Sequence, residues 1–386
     1  MSFIERSVAA LLQSSRPSKA CVLLGPRQAG KTTLLSMLSG RGSAAWYSGD
    51  DCASAAALLG LQASSDIRTL LLSADTVIID EAQRIPGIGL LIKRLADADA
   101  WLEKPVRLFA AASSSLELSA GVRESALGRI EEICVWPLST AELAGSSSWG
   151  TTLQNLGTRI VYGTYPEVCT HPEDAKKILI NHCGAMLYKD LFDLSGIRFS
   201  IKFENLVRLL ARSIGSVVTY EGLGRETGLA KATVMDYIRL LEECFIIKVC
   251  PSFSKNLGNE MKKGKKIYFC DTGIRNAVIR DFSPLSSRAD AGALWENFFF
   301  MERVKYHSLQ QDFSEIYFWK TTGHKPQTVD FIELTDQKMR AFDCRLSPKA
   351  RAKSSEAFIK TYPDCPLEVV SPNDLMRLWQ PKLPFN

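Results

Sequence analysis

The sequence predicts an α/β protein with a parallel β-sheet in its N-terminal third, and three observations support this class. Short apolar runs at 20–24, 76–79 and 106–110 alternate with segments of helical pattern, which is typical of a parallel sheet covered by helices. A glycine-containing turn follows the first run, and two acids end the second. With 386 residues, the chain has room for two or three domains.

The composition is that of an ordinary globular protein, with 46% hydrophobic and 23% charged residues. No apolar run approaches the ~18 residues that span a bilayer, and the N-terminus lacks the basic segment and cleavage site of a signal peptide. The ten cysteines include no C-x-x-C pair, which favours a reduced compartment. We therefore expect a cytoplasmic protein that does not associate with membranes.

The turn after the first apolar run fits the pattern G-x-x-x-x-G-K-[ST] and precedes a helix-forming segment, 33–38. Backbone N–H groups of such a loop surround phosphate oxygens, and the following helix N-terminus adds positive charge. Lys31 is expected to contact the β- and γ-phosphates of ATP, and the Thr32 hydroxyl to bind Mg²⁺. The predicted nucleotide-binding residues are Gly25, Pro26, Arg27, Gln28, Ala29, Gly30, Lys31, Thr32 and Thr33.

Asp80 and Glu81 follow the apolar strand 76–79. Asp80 is expected to hold the Mg²⁺ shell together with Thr32, and Glu81 to polarise the attacking water as general base. A glycine turn alone, or acids at a strand end alone, has an ordinary explanation in loop geometry or surface solvation. Both motifs in this order predict that the chain binds ATP and ADP with Mg²⁺.

Hydrolysis also needs a positive charge near the γ-phosphate, and Arg123 and Arg129 are the candidates. The alternative is that both arginines are solvated surface residues. An arginine that acts on a neighbouring subunit would imply a homo-oligomer.

Beyond the first domain, the patterns divide the chain into a P-loop domain at 1–146, a helical linker at 147–200, a winged helix-turn-helix at 201–282 and an α/β domain at 283–386. The third of these regions reads as three helices followed by a hairpin, which is the order of a winged helix. It carries 14 Lys and Arg against 9 Asp and Glu, an excess equal to the +5 of the whole chain.

This excess of positive charge predicts contact with the DNA backbone. The expected contact residues are Lys231, Arg239, Lys255, Lys262, Lys263, Lys265 and Lys266. Asp236, Glu242 and Glu243 on the third helix would repel phosphates, so a winged helix that docks a protein partner is the alternative.

The motifs Gly25–Leu34, Ile79–Pro86, Leu127–Ile130 and Lys266–Gly273 together resemble those of prokaryotic AAA+-like ATPases that carry a C-terminal domain of unknown function. The resemblance implies a P-loop ATPase domain, a winged helix and a restriction-nuclease-like C-terminal fold. It also implies that Gln83 and Arg84 lie beside the nucleotide and that Arg129 acts as a finger or sensor.

One departure from the family pattern predicts slow turnover, as in a switch. Ala111 stands where the strand after the acidic motif usually carries a threonine sensor, and Ser113 or Ser114 is expected to substitute for it.

The resemblance also implies the remnant of a nuclease site at Glu296, Asp330, Asp343 and Arg345. Arg345 replaces the lysine that orients the water in such sites, and a guanidinium cannot act as a base. We therefore expect a domain without cleavage activity, with an ATP-controlled nuclease as the alternative. The resulting hypothesis is a slow ATPase whose nucleotide state controls DNA binding.

Overall fold

A computed structural model of the chain describes residues 4–15, 19–40, 42–100, 102–114, 128–191, 200–253, 264–321, 326–336, 338–348 and 356–379. The chain forms two compact units. The N-terminal unit contains residues 6–137 and 243–245, and the C-terminal unit contains residues 4–5, 138–242 and those from 246 onwards. The predicted division at 146, 200 and 282 falls inside the C-terminal unit, and that finer division stays a prediction.

The N-terminal unit contains the strands β1 (Ala20–Leu24), β2 (Ala44–Ser48), β3 (Thr76–Asp80), β4 (Arg107–Ala112) and β5 (Ile130–Cys134). They form a parallel sheet in the order β2-β3-β4-β1-β5. Its helices are α1 (Val8–Ser14), α2 (Lys31–Ser39), α3 (Cys52–Leu59), α4 (Ser64–Leu72) and α5 (Ile88–Asp99). The central strands β1 and β3 are buried along their whole length, as their continuous apolar runs predict. The predicted α/β class with a parallel sheet is confirmed.

The strand register places the carboxyl ends of three strands at one edge of this sheet. Leu24, the last residue of β1, pairs with Ala112 on β4, and Ile79 on β3 pairs with Ala110. The loop after β1 and the acids that end β3 therefore lie at the same edge.

The C-terminal unit begins with helices. These are α6 (Thr140–Ser146), α7 (Trp149–Gln154), α8 (Leu156–Tyr162), α9 (Pro166–Thr170) and α10 (Ala175–Gly184), followed by a π-helical turn at Ala185–Asp190. The described part of the predicted linker at 147–200 is thus largely helical. Among the described helices, none combines the length and the apolar character that a membrane span requires.

Three further helices and a hairpin follow in the predicted order. They are α11 (Ile201–Arg212), α12 (Tyr220–Thr227), α13 (Lys231–Glu243), β6 (Ile247–Cys250) and β7 (Lys266–Phe269), and the two strands pair antiparallel. The apolar pattern predicts a strand from Phe245, but β6 begins two residues later because Phe245 has a left-handed φ of 56°. The winged-helix assignment itself stays a prediction.

The remaining elements are α14 (Thr272–Ile279), α15 (Ala291–Gln310), β8 (Glu315–Lys320), β9 (Thr328–Thr335), β10 (Lys338–Cys344), α16 (Glu356–Thr361), β11 (Leu367–Val370) and α17 (Leu375–Trp379). The strands form a separate mixed sheet in the order β11-β10-β9-β8. Phe299 of α15 packs against Phe331 and Phe342 of this sheet, with ring centroids 6.1 and 5.6 Å away. The long helix α15 is thereby fixed against β9 and β10.

Candidate functional site

The loop between β1 and α2 is tightly packed against the residues that follow β5. The Val135 N–H donates to Leu24 O at 2.7 Å. Gly25 has a φ of +154°, and a Cβ at this position would lie 2.1 Å from Val135 O. Gln28 and Gly30 also have positive φ, 60° and 96°. The first glycine of the motif is therefore required by close packing, and Gly30, with its positive φ, immediately precedes α2.

Lys31 is the first residue of α2, and its side chain folds back over the loop. Its buried Nζ donates to Gly25 O at 2.8 Å and to Pro26 O at 2.9 Å. The ammonium group is thus held by carbonyl oxygens of the loop, and phosphate oxygens can compete with these neutral acceptors.

Thr32 and Asp80 meet directly, as the two motifs predict. Thr32 Oγ1 donates to Asp80 Oδ2 at 2.8 Å, and the Glu81 N–H donates to Asp80 Oδ1 at 3.0 Å. A hydroxyl and a carboxylate are hard oxygen ligands of the kind that Mg²⁺ prefers, so these residues fit that ion.

The turn that carries Glu81 is braced by the segment after β2. Glu81 has left-handed backbone angles, φ 47° and ψ 40°, which are sparsely populated by residues with a side chain. The Gly49 N–H donates to Asp80 O at 2.9 Å, and a Cβ on Gly49 would lie 2.2 Å from Glu81 O. Arg84 Nε pairs with Asp50 at 3.0 Å. These contacts hold Glu81 in its unusual conformation at the end of β3.

Gln83 connects Glu81 to the end of β4. Its Nε2 donates to Glu81 Oε2 at 2.6 Å and to Ser113 Oγ at 2.8 Å. Gln83 is therefore in contact with the acidic motif, and its predicted position beside the nucleotide stays a prediction. Ser113, rather than Ser114, is the serine in contact with this group.

Arg6 is a residue of this site that the sequence interpretation missed. Its buried guanidinium donates to Ala29 O at 2.5 Å and to Trp136 O at 2.6 Å, so it links the phosphate-binding loop to the segment after β5. An arginine before an amphipathic helix carries no sequence signal that separates this role from ordinary solvation.

Arg129 pairs with Asp97, with Nε 2.7 Å from Oδ1, and its side chain is 47% exposed. This arrangement matches the alternative of a solvated surface residue, and the finger role stays a prediction. Arg123 lies outside the described residues.

Two of the four residues of the predicted nuclease site, Glu296 and Asp330, lie close together, and both contact a lysine. Lys266 Nζ on β7 lies 2.8 Å from Glu296 Oε1 and 3.3 Å from Asp330 Oδ1, and the lysine side chain is 4% exposed. Tyr268 OH donates to Glu296 Oε1 at 2.5 Å, and the Cys344 N–H donates to Asp330 Oδ2 at 3.0 Å. We call these five residues the Lys266 cluster.

Charge within this cluster favours the protonated lysine. Burial alone would lower the pKa of Lys266, but the carboxylates of Glu296 and Asp330 outweigh burial and raise the pKa above its ordinary value. The prediction that Lys266 contacts nucleic acid is therefore wrong, because the ammonium group is buried and paired inside the protein.

The other two residues of the predicted nuclease site form their own pair. Arg345 Nη2 donates to Asp343 Oδ2 at 2.8 Å. Within the described residues, no three His, Cys, Asp or Glu side chains are grouped so that they could hold a metal ion.

The other predicted nucleic-acid contacts are partly outside the described residues. Lys255, Lys262 and Lys263 fall in this category, so the structure places none of them. Lys231 on α13 forms an exposed ion pair with Glu221, Arg239 is exposed on the same helix, and Lys265 is half-buried.

Comparison with known families divides the chain into three stretches. Residues 17–144 match a family described as an AAA domain. Residues 153–285 and 291–377 match two families that are each described as a domain of unknown function, DUF8612 and DUF4143.

Two relatives that match most of the chain are both described as uncharacterized proteins. The chain is similar to uncharacterized protein Rv2008c of Mycobacterium tuberculosis and uncharacterized protein Mb2031c of Mycobacterium bovis. Each is 25% identical over 321 residues, covering 82% of this chain and 68% of the relative.

Two solved structures are also similar. The Walker-type ATPase PABY2304 of Pyrococcus abyssi matches 72% of this chain and 96% of its own, at 14% identity and a TM-score of 0.44. The replication initiator DnaA bound to AMPPCP and single-stranded DNA matches 62% of this chain and 90% of its own, at 16% identity and a TM-score of 0.30.

The parallel sheet, the loop geometry and the family match agree on the class of the N-terminal unit. It is an AAA-type P-loop nucleotide-binding domain, and the C-terminal unit carries a separate mixed sheet.

Proposed function

We propose that this chain is a Mg²⁺-dependent ATPase of slow turnover that acts as a nucleotide-controlled switch, and that its nucleotide state controls DNA binding. The observation that carries the ATPase proposal is the contact between Thr32 and Asp80 at 2.8 Å, because it joins the two motifs at the place where they would share one Mg²⁺ ion.

The roles follow from the positions of the side chains. Lys31 would exchange its carbonyl partners for the β- and γ-phosphates of ATP. Thr32 and Asp80 would hold Mg²⁺, which would supply positive charge to the phosphates. Glu81, at the end of β3, takes a proton from the attacking water, and Arg129 is proposed to leave Asp97 and stabilise charge on the γ-phosphate.

Slow turnover is supported by the end of β4. Ala111 is fully buried and cannot hydrogen-bond through its side chain, so the usual polar sensor position is apolar. A protein that holds ATP for long periods is suited to switching between two states.

DNA binding is supported by the cations on the described surface of the C-terminal unit. Lys231 and Arg239 are eight residues apart on α13, which places them on one face of the helix, and both are exposed. A phosphate contact at this face would give an affinity that falls steeply with salt.

A protein partner is the second candidate, and one residue favours it. Met235 lies on the same face between the two cations and is 45% exposed. An exposed methionine adapts to apolar partner surfaces and gains nothing from a phosphate backbone.

The test is ATPase activity measured with and without DNA across a range of protein concentrations. Lys31→Ala should abolish nucleotide binding, and Glu81→Gln should retain binding and lose turnover. Glu132→Gln removes an exposed carboxylate from β5 and is the matched control, with turnover unchanged. Unchanged turnover in Glu81→Gln would remove Glu81 as the base.

The salt dependence of DNA affinity distinguishes the DNA proposal from the protein-partner alternative. DNA affinity that falls steeply between low and moderate salt, and that differs between ATP and ADP, supports the proposed switch. Absence of binding at low salt in every nucleotide state would leave α13 as a protein-docking face, which Met235→Ala would then weaken.

A further inference from the structure

We infer that Gln83 is a positioning residue that orients Glu81 for hydrolysis and links it, through Ser113, to the end of β4. The inference rests on the proposed ATPase function. It assigns to this pair the sensing role that Ala111 cannot perform.

The amide of Gln83 has one orientation that satisfies all its neighbours. The Ser113 N–H donates to Gln83 Oε1 at 3.3 Å, and a backbone N–H can only donate. The carbonyl oxygen of the amide must therefore face Ser113 N, which directs Nε2 toward Glu81 Oε2, 2.6 Å away. The backbone N–H of Ser113, the residue directly after β4, thus sets the direction in which the Gln83 amide donates to Glu81.

The two carboxylate oxygens of Glu81 differ in their hydrogen bonding. Within the described residues, Oε2 accepts from Gln83 while Oε1 accepts no hydrogen bond, and the side chain is half-buried. This arrangement fixes the direction of the carboxylate and leaves one oxygen available to a water molecule, as a general base requires.

Local backbone geometry brings the two side chains together. Glu81 is left-handed, and the residues Ala82–Arg84 form a 3₁₀ turn in which the Arg84 N–H donates to Glu81 O at 3.0 Å. Gln83 is buried within this turn, so water competes little for its amide.

Ser113 lies close to the loop that is proposed to bind the nucleotide. It directly follows Ala112, which pairs with Leu24, the residue before Gly25 of the phosphate-binding loop. The neighbouring Ser114 is fully buried, and among the described residues its Oγ has no hydrogen-bond partner. Ser113 is therefore the hydroxyl at this strand end that is connected to Glu81.

The test separates catalysis from binding in steady-state ATPase kinetics and in the affinity for a fluorescent ADP analogue. Gln83→Leu, which keeps the volume and removes the amide, should lower kcat by about 10- to 100-fold, the effect of losing one hydrogen bond to a charged group. KM and the affinity for the ADP analogue should stay within about 3-fold, which also shows that the variant is folded.

Ser113 variants give an independent measurement. Ser113→Ala keeps the backbone N–H contact and should lower kcat by about 3- to 10-fold, whereas Ser113→Thr keeps the hydroxyl and should restore most of the wild-type rate. The double variant Gln83→Leu with Ser113→Ala should be no slower than Gln83→Leu alone, because both act through one contact.

Gln62→Leu is the matched control, since it makes the same substitution at an exposed position and should leave kcat unchanged. A wild-type kcat in Gln83→Leu, or a loss confined to KM, would overturn the inference. Additive losses in the double variant would also overturn it. A wild-type protein without any ATP turnover would instead overturn the proposed function, so the two failures are distinct.

Discussion

The two units of the molecule each bury a lysine, but the groups that accept hydrogen bonds from the two lysines differ. In the N-terminal unit, Lys31 donates to the carbonyl oxygens of Gly25 and Pro26, while Asp80 accepts from the Thr32 hydroxyl. In the C-terminal unit, Lys266 pairs directly with Glu296 and Asp330.

This difference separates a binding site from a structural cluster. Neutral carbonyl and hydroxyl groups can be displaced by phosphate and Mg²⁺, because the charged ligands replace a weak interaction with a stronger one. A cation that enters the Lys266 cluster would instead have to break a buried ion pair and leave an ammonium group without its carboxylates. Lys31 is therefore in contact with neutral acceptors of the loop, whereas Lys266 is neutralised by two carboxylates.

The largest effect that tests this contrast is expected from Lys266→Ala. Removal of the lysine leaves two largely buried carboxylates without their cation, which costs about 3–5 kcal/mol of unfolding free energy. Denaturant unfolding followed by circular dichroism measures the loss. The affinity for a fluorescent ADP analogue should be unchanged, because the cluster belongs to the other unit.

Lys265→Ala is the matched control for that measurement. Lys265 is adjacent in sequence and half-buried, and its described contacts with Val218 are made by backbone atoms that alanine retains. Equal destabilisation by the two variants would contradict the assignment of Lys266 as the buried partner of the carboxylates.

The sequence was informative wherever local pattern decides the outcome. The buried apolar runs predict β1 and β3, and the motifs predict that Thr32 and Asp80 lie together, since the carboxyl ends of parallel strands share one sheet edge. Strand order and the division into two units depend on which distant segments pack together, and no local pattern in the chain encodes that.

The Lys266 cluster illustrates what the sequence could not provide. Lys265 and Lys266 belong to one run of lysines, but Lys265 is half-buried just before β7, whereas Lys266, the first residue of β7, is buried. Which of the two is buried is decided by Glu296 and Asp330, which are 30 and 64 residues away. From the sequence alone, the run therefore indicates a single exposed surface.

A smaller loss of stability is expected from Arg6→Ala. This variant tests how much the contacts of Arg6 with the phosphate-binding loop contribute, compared with the contacts in the Lys266 cluster. Hydrogen bonds from a charged donor contribute about 1.5–3 kcal/mol, and the variant removes the donors to Ala29 O and Trp136 O. We expect lower thermal stability of the N-terminal unit and weaker binding of the ADP analogue. Arg6→Lys keeps the charge and should recover only part of both, because one ammonium cannot span the two carbonyls as a guanidinium does. Full recovery by lysine would mean that charge alone matters.

Thr32→Ala should change only the contribution that Mg²⁺ makes to ATP affinity. Loss of the hydroxyl removes a proposed metal ligand, and we expect the Mg²⁺-dependent gain in ATP affinity to fall by about 10- to 100-fold, the range seen when groups that support a metal are removed. Binding measured in EDTA should be unchanged, and Thr32→Ser should behave as wild type. A Mg²⁺ dependence that survives in Thr32→Ala would place the ion elsewhere.

The smallest effect on stability is expected from a lysine substitution on the surface of α13. It tests whether burial of an ion pair determines how much the pair contributes to stability. Lys231 forms an ion pair with Glu221 as Lys266 does with Glu296, but the first pair is exposed. Lys231→Ala should therefore leave the thermal midpoint unchanged within error, since exposed pairs contribute little. Under the DNA proposal, the same variant should reduce the slope of log affinity against log salt by about one unit. A lower thermal midpoint with an unchanged salt slope would assign Lys231 to the fold rather than to phosphate contact.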